Sequence, residues 1–174
     1  METDTRQNAR TSPWLAALVL AILVAIPLLI GFLGSYATAG NVSGWYADAE
    51  KAPWTPPNAV FGPVWSFLYV VMGVAAWLVW LRRGRPGARA ALVLYVVQLV
   101  LNSVWSPLFF GGYPLLGTAA LWVGVVVILA LVAVLAVTLV RFWRVNRLAG
   151  ILLVPYLAWV CYATTLNLYI AAAN

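Results

Sequence analysis

The chain has 174 residues, of which 65% are hydrophobic and only 8% charged, with a formal net charge of +6. A soluble domain carries about a quarter charged residues to cover its surface, so most of this chain has lipid as its solvent, and a soluble nucleic-acid binder is excluded. Histidine is absent and Cys161 is the only cysteine, which removes His-based nucleophilic catalysis, axial histidine ligation of haem, the usual zinc sets and any intrachain disulfide.

Residues 1–13 form a short polar tail containing Glu2, Asp4, Arg6 and Arg10. The first apolar run, 14–36, is long enough to span a bilayer. It lacks the short apolar core and small-residue cleavage site of a signal peptide, so it is read as a membrane helix. A long loop is predicted over 37–59. Its second half opens the segment WYADAEKAPWTPPNAVFGPVWSFLY (45–69), which holds seven aromatics, four prolines, two of the four acids and the only lysine. Loops of that length are uncommon unless functional or disordered, and this one is too aromatic for disorder. Rigid prolines and flat amphipathic rings suit the wall or lid of a pocket for a flat apolar ligand. A plainer reading stands beside it: Asp48, Glu50 and Lys51 solvate a turn, and Pro53, Pro56 and Pro57 stop the loop running into the next helix.

Further apolar runs follow at about 60–81, 90–110, 115–140 and 148–172, separated by an Arg/Gly/Pro link at 82–87, a tight turn at 111–114 and a basic link at 141–147. All five runs are apolar on every side and near the length of a spanning helix. The fold class is therefore an all-α integral membrane protein, a five-transmembrane-helix bundle, with one transmembrane domain over 14–174. An odd number of spans and no internal repeat argue against an inverted-repeat transporter. One end of such a bundle collects Arg6, Arg10, Arg82, Arg83, Arg85, Arg89, Arg141, Arg144 and Arg147, while the other carries Lys51 alone. The positive-inside rule puts the N-terminus in the cytoplasm and the long loop and C-terminus outside. The acids Glu2, Asp4, Asp48 and Glu50 all lie outside the runs, which argues against a buried carboxylate relay.

Polar and aromatic positions inside the spans fall into stripes. Trp65 and Tyr69 share a face that Gly73 and Ala76 continue; Gln98, Asn102, Trp105 and Phe109 form a second, and Tyr156, Trp159, Ala163 and Leu166–Asn167 a third. Convergent stripes of this kind build an apolar pocket with a few orienting hydrogen bonds. The amides of Gln98, Asn102 and Asn167 serve equally well to join helices. Trp14, Trp80 and Trp143 read as interfacial anchors, Pro27, Pro107 and Pro155 as kinks, Thr164 and Thr165 as bonding back to the preceding turn, and Cys161 as a small buried apolar group. Trp65 and Trp159 are poorly explained as anchors because they sit within spans, and they are read as cavity-lining.

Three segments, WYADAEKAPWTPPNAVFGPVWSFLYVVMG (45–73), QLVLNSVWSPLFFG (98–111) and PYLAWVCYATTLN (155–167), resemble the TspO/MBR family in order and spacing. The resemblance extends from the first helix to the fifth. It implies five helices around a ligand pocket closed by the first loop, with binding of porphyrins and haem-related tetrapyrroles, of sterols in some members, and a homodimer. By position it implies ligand contacts from Tyr46 and Pro56 in the loop, Trp65 and Tyr69, Asn102, Trp105 and Phe109, and Trp159 and Ala163. The fourth span departs from many relatives in having no acid, with Leu121 and Trp122 near the expected place. Tyr169 is followed by no Lys or Arg, which argues against sterol transport.

The leading expectation is a membrane protein that binds a porphyrin, haem-like or similar flat ligand between its helices and acts as sensor, scavenger or carrier, with no required cofactor and no metal site. Light- or oxygen-dependent porphyrin breakdown is the enzymatic alternative, and a membrane scaffold for a partner protein is the third. Abundant Arg, Ala, Val and Leu beside a single Lys suggest a bacterial cell membrane.

Overall fold

A computed structural model describes residues 12–174; the tail with Glu2, Asp4, Arg6 and Arg10 lies outside the described residues. The spans are α1 (Pro13–Ser43), α3 (Asn58–Trp80), α4 (Ala88–Ser106), α6 (Thr118–Val145) and α7 (Arg147–Ala173). A short α2 (Trp45–Asp48) follows α1, and α4 runs through a π-helical turn (Pro107–Gly111) into a short α5 (Gly112–Leu116). Among the described residues, five helices are thus long and apolar enough to cross a membrane, the third being the continuous stretch Ala88–Leu116.

Two connections differ from the sequence expectation. The predicted loop over 37–59 is largely helical: α1 continues to Ser43 and α2 follows at once, leaving only 49–57 irregular. Hydrophobicity falls after Tyr36, but hydrogen bonding does not. Thr38 Oγ1 donates to Gly34 O (2.8 Å) and Ser43 Oγ to Ala39 O (3.1 Å), so polar side chains satisfy themselves on the helix that carries them. At 31 residues α1 is about 45 Å long, enough to reach through the headgroup layer. The tight turn expected at 111–114 is absent. Gly111 closes the π turn, Gly112 and Pro114 lie in α5, and the chain reverses at Gly117, whose φ of +58° is one that L residues rarely adopt. Gly87, at φ +82°, makes the corresponding break before α4.

The helices close a ring: α1 packs on α3, α3 on α7, α7 on α6, α6 on α4, and α4 with its π turn returns to α1. Small residues let the axes approach, as lipid-embedded helices require. Ala75, Ala76, Ala88, Ala91 and Ala149 are fully buried, and a Cβ on Gly150 would come within 2.8 Å of Trp143 Cα. The main core joins Leu68 and Met72 of α3, Tyr95 of α4, Leu131, Leu135 and Phe142 of α6, and Leu153 and Tyr156 of α7. Helix α1 is peripheral: only Pro27 and Thr38 are buried, and Leu18, Ile22, Leu29, Phe32 and Leu33 remain exposed for acyl chains. Trp14 and Trp143 are exposed near span ends, as anchors should be, while Cys161 is exposed rather than buried because the buried stripe of α7 runs through Tyr156, Val160, Thr164 and Asn167. Thr164 and Thr165 do bond back, to Val160 O and Tyr162 O.

Candidate functional site

At the end away from the arginine-rich links, residues 49–57 are clipped onto α7. Trp54 Nε1 donates to Thr165 Oγ1 (3.2 Å), Tyr162 Oη donates to Trp54 O (2.7 Å), and the Trp54 ring meets Tyr169 edge-on at 5.7 Å. Glu50 and Asn174 pair reciprocally through Glu50 N to Asn174 Oδ1 (2.9 Å) and Asn174 Nδ2 to Glu50 O (3.1 Å), and Tyr169 Oη donates to the Glu50 carboxylate (3.2 Å). The segment is therefore a lid held by named bonds, and Glu50 does more than solvate a turn. Pro56 is half-buried within it.

Beside the lid, α2 docks on the π turn. Trp45 Nε1 donates to Phe110 O (2.9 Å), and its ring stacks on Tyr113 with centroids 4.1 Å apart. Tyr46 is buried edge-on against Phe110 at 5.1 Å, with the Lys51 ammonium 5.0 Å from the Tyr46 ring centroid. Burial raises the Tyr46 phenol above its ordinary pKa. Phe109 is buried and stacks on Trp105 at 5.3 Å and 14°. π turns recur at functional sites because they re-aim side chains without ending the helix.

Deeper in the bundle the three stripes converge. Trp65 stacks on Tyr69 (5.4 Å, 30°) and meets Tyr156 edge-on (6.1 Å). Below these rings runs a hydrogen-bond chain: Tyr69 Oη donates to Asn102 Oδ1 (3.0 Å), Asn102 Nδ2 to Tyr156 Oη (3.0 Å), and Tyr156 Oη to Gln98 Oε1 (2.9 Å). Gly31 of α1 completes this layer, since a Cβ there would collide with the Tyr69 ring. Trp105 Nε1 donates to Asn167 Oδ1 at 2.8 Å. An indole N–H can only donate, so this bond fixes the Asn167 amide with its nitrogen turned to the other side. Trp159 meets Phe61 edge-on at 5.8 Å and Tyr162 at 5.6 Å, and Ala163 lies half-buried one turn on.

Among the described residues, three buried side-chain polar atoms have no partner: Trp159 Nε1, Asn167 Nδ2 and Thr55 Oγ1. Trp159, Ala163 and Asn167 are successive turns of one stripe, so the two unpaired N–H donors flank the small Ala163, and Thr55 belongs to the lid above α7. Neither of two defined cavities is lined by Trp65 or Trp159. One, of about 380 Å³, lies at the arginine-rich end; the other, about 340 Å³ and wholly apolar, faces outward between α1 and α4. Among the described residues no three His, Cys, Asp or Glu side chains gather as a metal cage. Sequence reasoning missed the Trp45–Phe110 clip, the Glu50–Asn174 pair and Thr55. Each depends on contacts between distant segments, for which helical spacing carries no signal.

The class defined here is a multi-pass membrane protein of five helices with an aromatic, amide-bearing interior and a lid pinned to its last span. The TspO/MBR family model matches residues 23–173. Among curated relatives, the translocator protein of Homo sapiens is 40% identical over 157 residues, covering 89% of this chain and 88% of that one. The tryptophan-rich protein TspO of Archaeoglobus fulgidus is 38% identical over 160 residues (92% and 96%), and protein CrtK of Rhodobacter capsulatus 36% over 142 residues (81% and 85%). The chain belongs to the TspO/MBR family.

Proposed function

We propose that the protein binds a tetrapyrrole, or a similar flat apolar ligand edged with hydrogen-bond acceptors, between α3, α4 and α7 beneath the lid, as a sensor, scavenger or carrier. The observation that carries this reading is the pair of buried, unpaired N–H donors, Trp159 Nε1 and Asn167 Nδ2, on one stripe of α7. A buried donor without an acceptor costs about 1–3 kcal/mol, and such groups in native structures call for an explanation, of which a missing ligand is one. Two donors beside Ala163, with the Thr55 hydroxyl above and indole rings around, match a ligand that has a broad apolar face and carbonyl or carboxylate edges. Trp65 already stacks on Tyr69, so the ligand enters by displacing that ring contact or by lifting the lid. On the same reading the arginine-rich end faces the cytoplasm of a bacterial cell, as the charge bias favours, and the protein works as a homodimer.

Titrating the purified protein with protoporphyrin IX and following tryptophan quenching tests the proposal. Trp159→Phe keeps an aromatic ring and removes the N–H, and is expected to weaken binding about 10-fold or more, the value of a hydrogen bond to a charged acceptor. Trp65→Ala is expected to weaken it further through lost apolar contact. Wild-type affinity in both variants would overturn the site.

A further inference from the structure

The opposite end of the bundle holds a second candidate site that the aromatic interior does not use. The 82–87 link and the α6–α7 junction meet there around a cavity of about 380 Å³ lined by Arg82, Arg85, Trp143, Arg144, Asn146 and Arg147. Arg82 Nη1 and Arg85 Nη1 both donate to the same carbonyl, Val145 O, at 3.1 and 3.2 Å. Two guanidinium groups are thereby drawn onto the last carbonyl of α6, where the helix end offsets part of their charge, and Arg144 and Arg147 share the same wall. The acids among the described residues, Asp48 and Glu50, belong to α2 and the lid, with Glu50 bonded to Asn174 and Tyr169 at the far end. All four arginines are solvent-exposed, so water and salt screen much of their mutual repulsion, and an oxyanion seated among them would offset what remains.

The geometry points to a phosphate site, filled from the membrane by the headgroup of an anionic phospholipid. A guanidinium offers five N–H donors in a planar fork, so the two bonds to Val145 leave most donors of Arg82 and Arg85 for a ligand. Forked donors arriving from two links suit an oxyanion that several arginines can grip at once. A membrane source is favoured by Trp143, which is 43% exposed in the cavity wall at the end of a span, where indoles sit at headgroup depth. The cavity would hold the phosphate and the glycerol beside it, with the acyl chains running down the outside of the bundle. Arginine bias alone would orient the chain without building a hollow. What distinguishes this site is that two separate links place their arginines around one cavity.

The test compares two paired variants of the full chain, R144Q/R147Q and R89Q/R141Q. Both remove the same charge, and only the first pair lines the cavity, so effects on insertion or on general electrostatics are shared. Binding of a short-chain phosphatidylglycerol, with phosphatidylcholine as the neutral comparison, is measured by native mass spectrometry of detergent-solubilised protein. The expected result is a loss of about tenfold or more for R144Q/R147Q and a change within about twofold for R89Q/R141Q. Excess inorganic phosphate then separates the sources: persistence of the lipid supports a headgroup site, and displacement supports the same site with a soluble phosphate as its occupant. Equal losses in the two pairs, or none in either, overturn the inference.

Discussion

Replacing Gly73 by alanine is expected to lower the thermal unfolding midpoint in mild detergent by about 5–10 °C, corresponding to about 2–3 kcal/mol. A Cβ at position 73 would lie 2.5 Å from Leu23 O, 2.8 Å from Val24 Cα and 2.9 Å from Leu23 C. Every one of these is a backbone atom of α1, so no side chain can swing aside and the whole helix must retreat from α3. The Leu23 carbonyl is a sensitive place for that retreat. Its helical donor would be residue 27, which is Pro27 and has no N–H. Tyr95 Oη reaches across from α4 and donates to Leu23 O at 3.4 Å, replacing the lost bond as lipid-embedded backbone demands. Pushing α1 outward loosens that bond and the close packing together. Gly62→Ala is the control, because a Cβ there meets nothing within 4 Å. Equal midpoints for the two variants would show that the α1–α3 approach is looser than described.

The parts of this fold that were legible in the sequence are those governed by periodicity and solvent. An 8% charged content requires lipid as solvent, and five apolar runs yield five spans. The arginine links are far apart in sequence, separated by the whole of the third and fourth spans, yet alternation of spans alone placed them at one end, where they share a cavity. What misled was the use of hydrophobicity as a marker for helix ends. Residues 37–43 are less apolar but remain helical, and Thr38 and Ser43 meet their hydrogen-bonding needs on their own helix. Likewise the glycines and proline of 111–114 resembled a turn, whereas a π turn and a short helix absorb them and the chain reverses at Gly117, which takes a positive φ.

The candidate site divides along the same line. Within one helix, side chains a turn apart share a face whatever the fold, so the Trp65–Tyr69 stack and the Trp105–Phe109 stack could be read from spacing. Bonds between helices depend on axial register and rotation, which no local pattern encodes. The Tyr69–Asn102 and Trp105–Asn167 pairs are therefore visible only in three dimensions. The sequence left open whether Asn102 and Asn167 join helices or face a ligand. Asn102 spends both ends of its amide on α3 and α7, whereas Asn167 spends its oxygen and keeps its nitrogen unpaired.

That difference makes Asn102 the residue whose loss should cost most in the polar interior. Asn102→Leu is expected to destabilise the protein by about 2 kcal/mol, between the modest value of an average intramembrane hydrogen bond and the full cost of a stranded donor. The asymmetry within the chain sets the sign of a second measurement. Without the amide, Tyr156 Oη can still donate to Gln98 Oε1 at 2.9 Å, but the buried Tyr69 hydroxyl has lost its acceptor. Removing that hydroxyl as well should therefore help: Tyr69→Phe combined with Asn102→Leu is expected to be more stable than Asn102→Leu alone by about 1 kcal/mol. On its own, Tyr69→Phe should be destabilising, because it strands the Asn102 oxygen. A change of sign between the two backgrounds is the signature of a direct buried bond, which mere loss of packing volume at either position would not produce. If Tyr69→Phe destabilises the wild type and the Asn102→Leu variant equally, the two side chains are not bonded. The platform on which Trp65 rests would then have to be built differently.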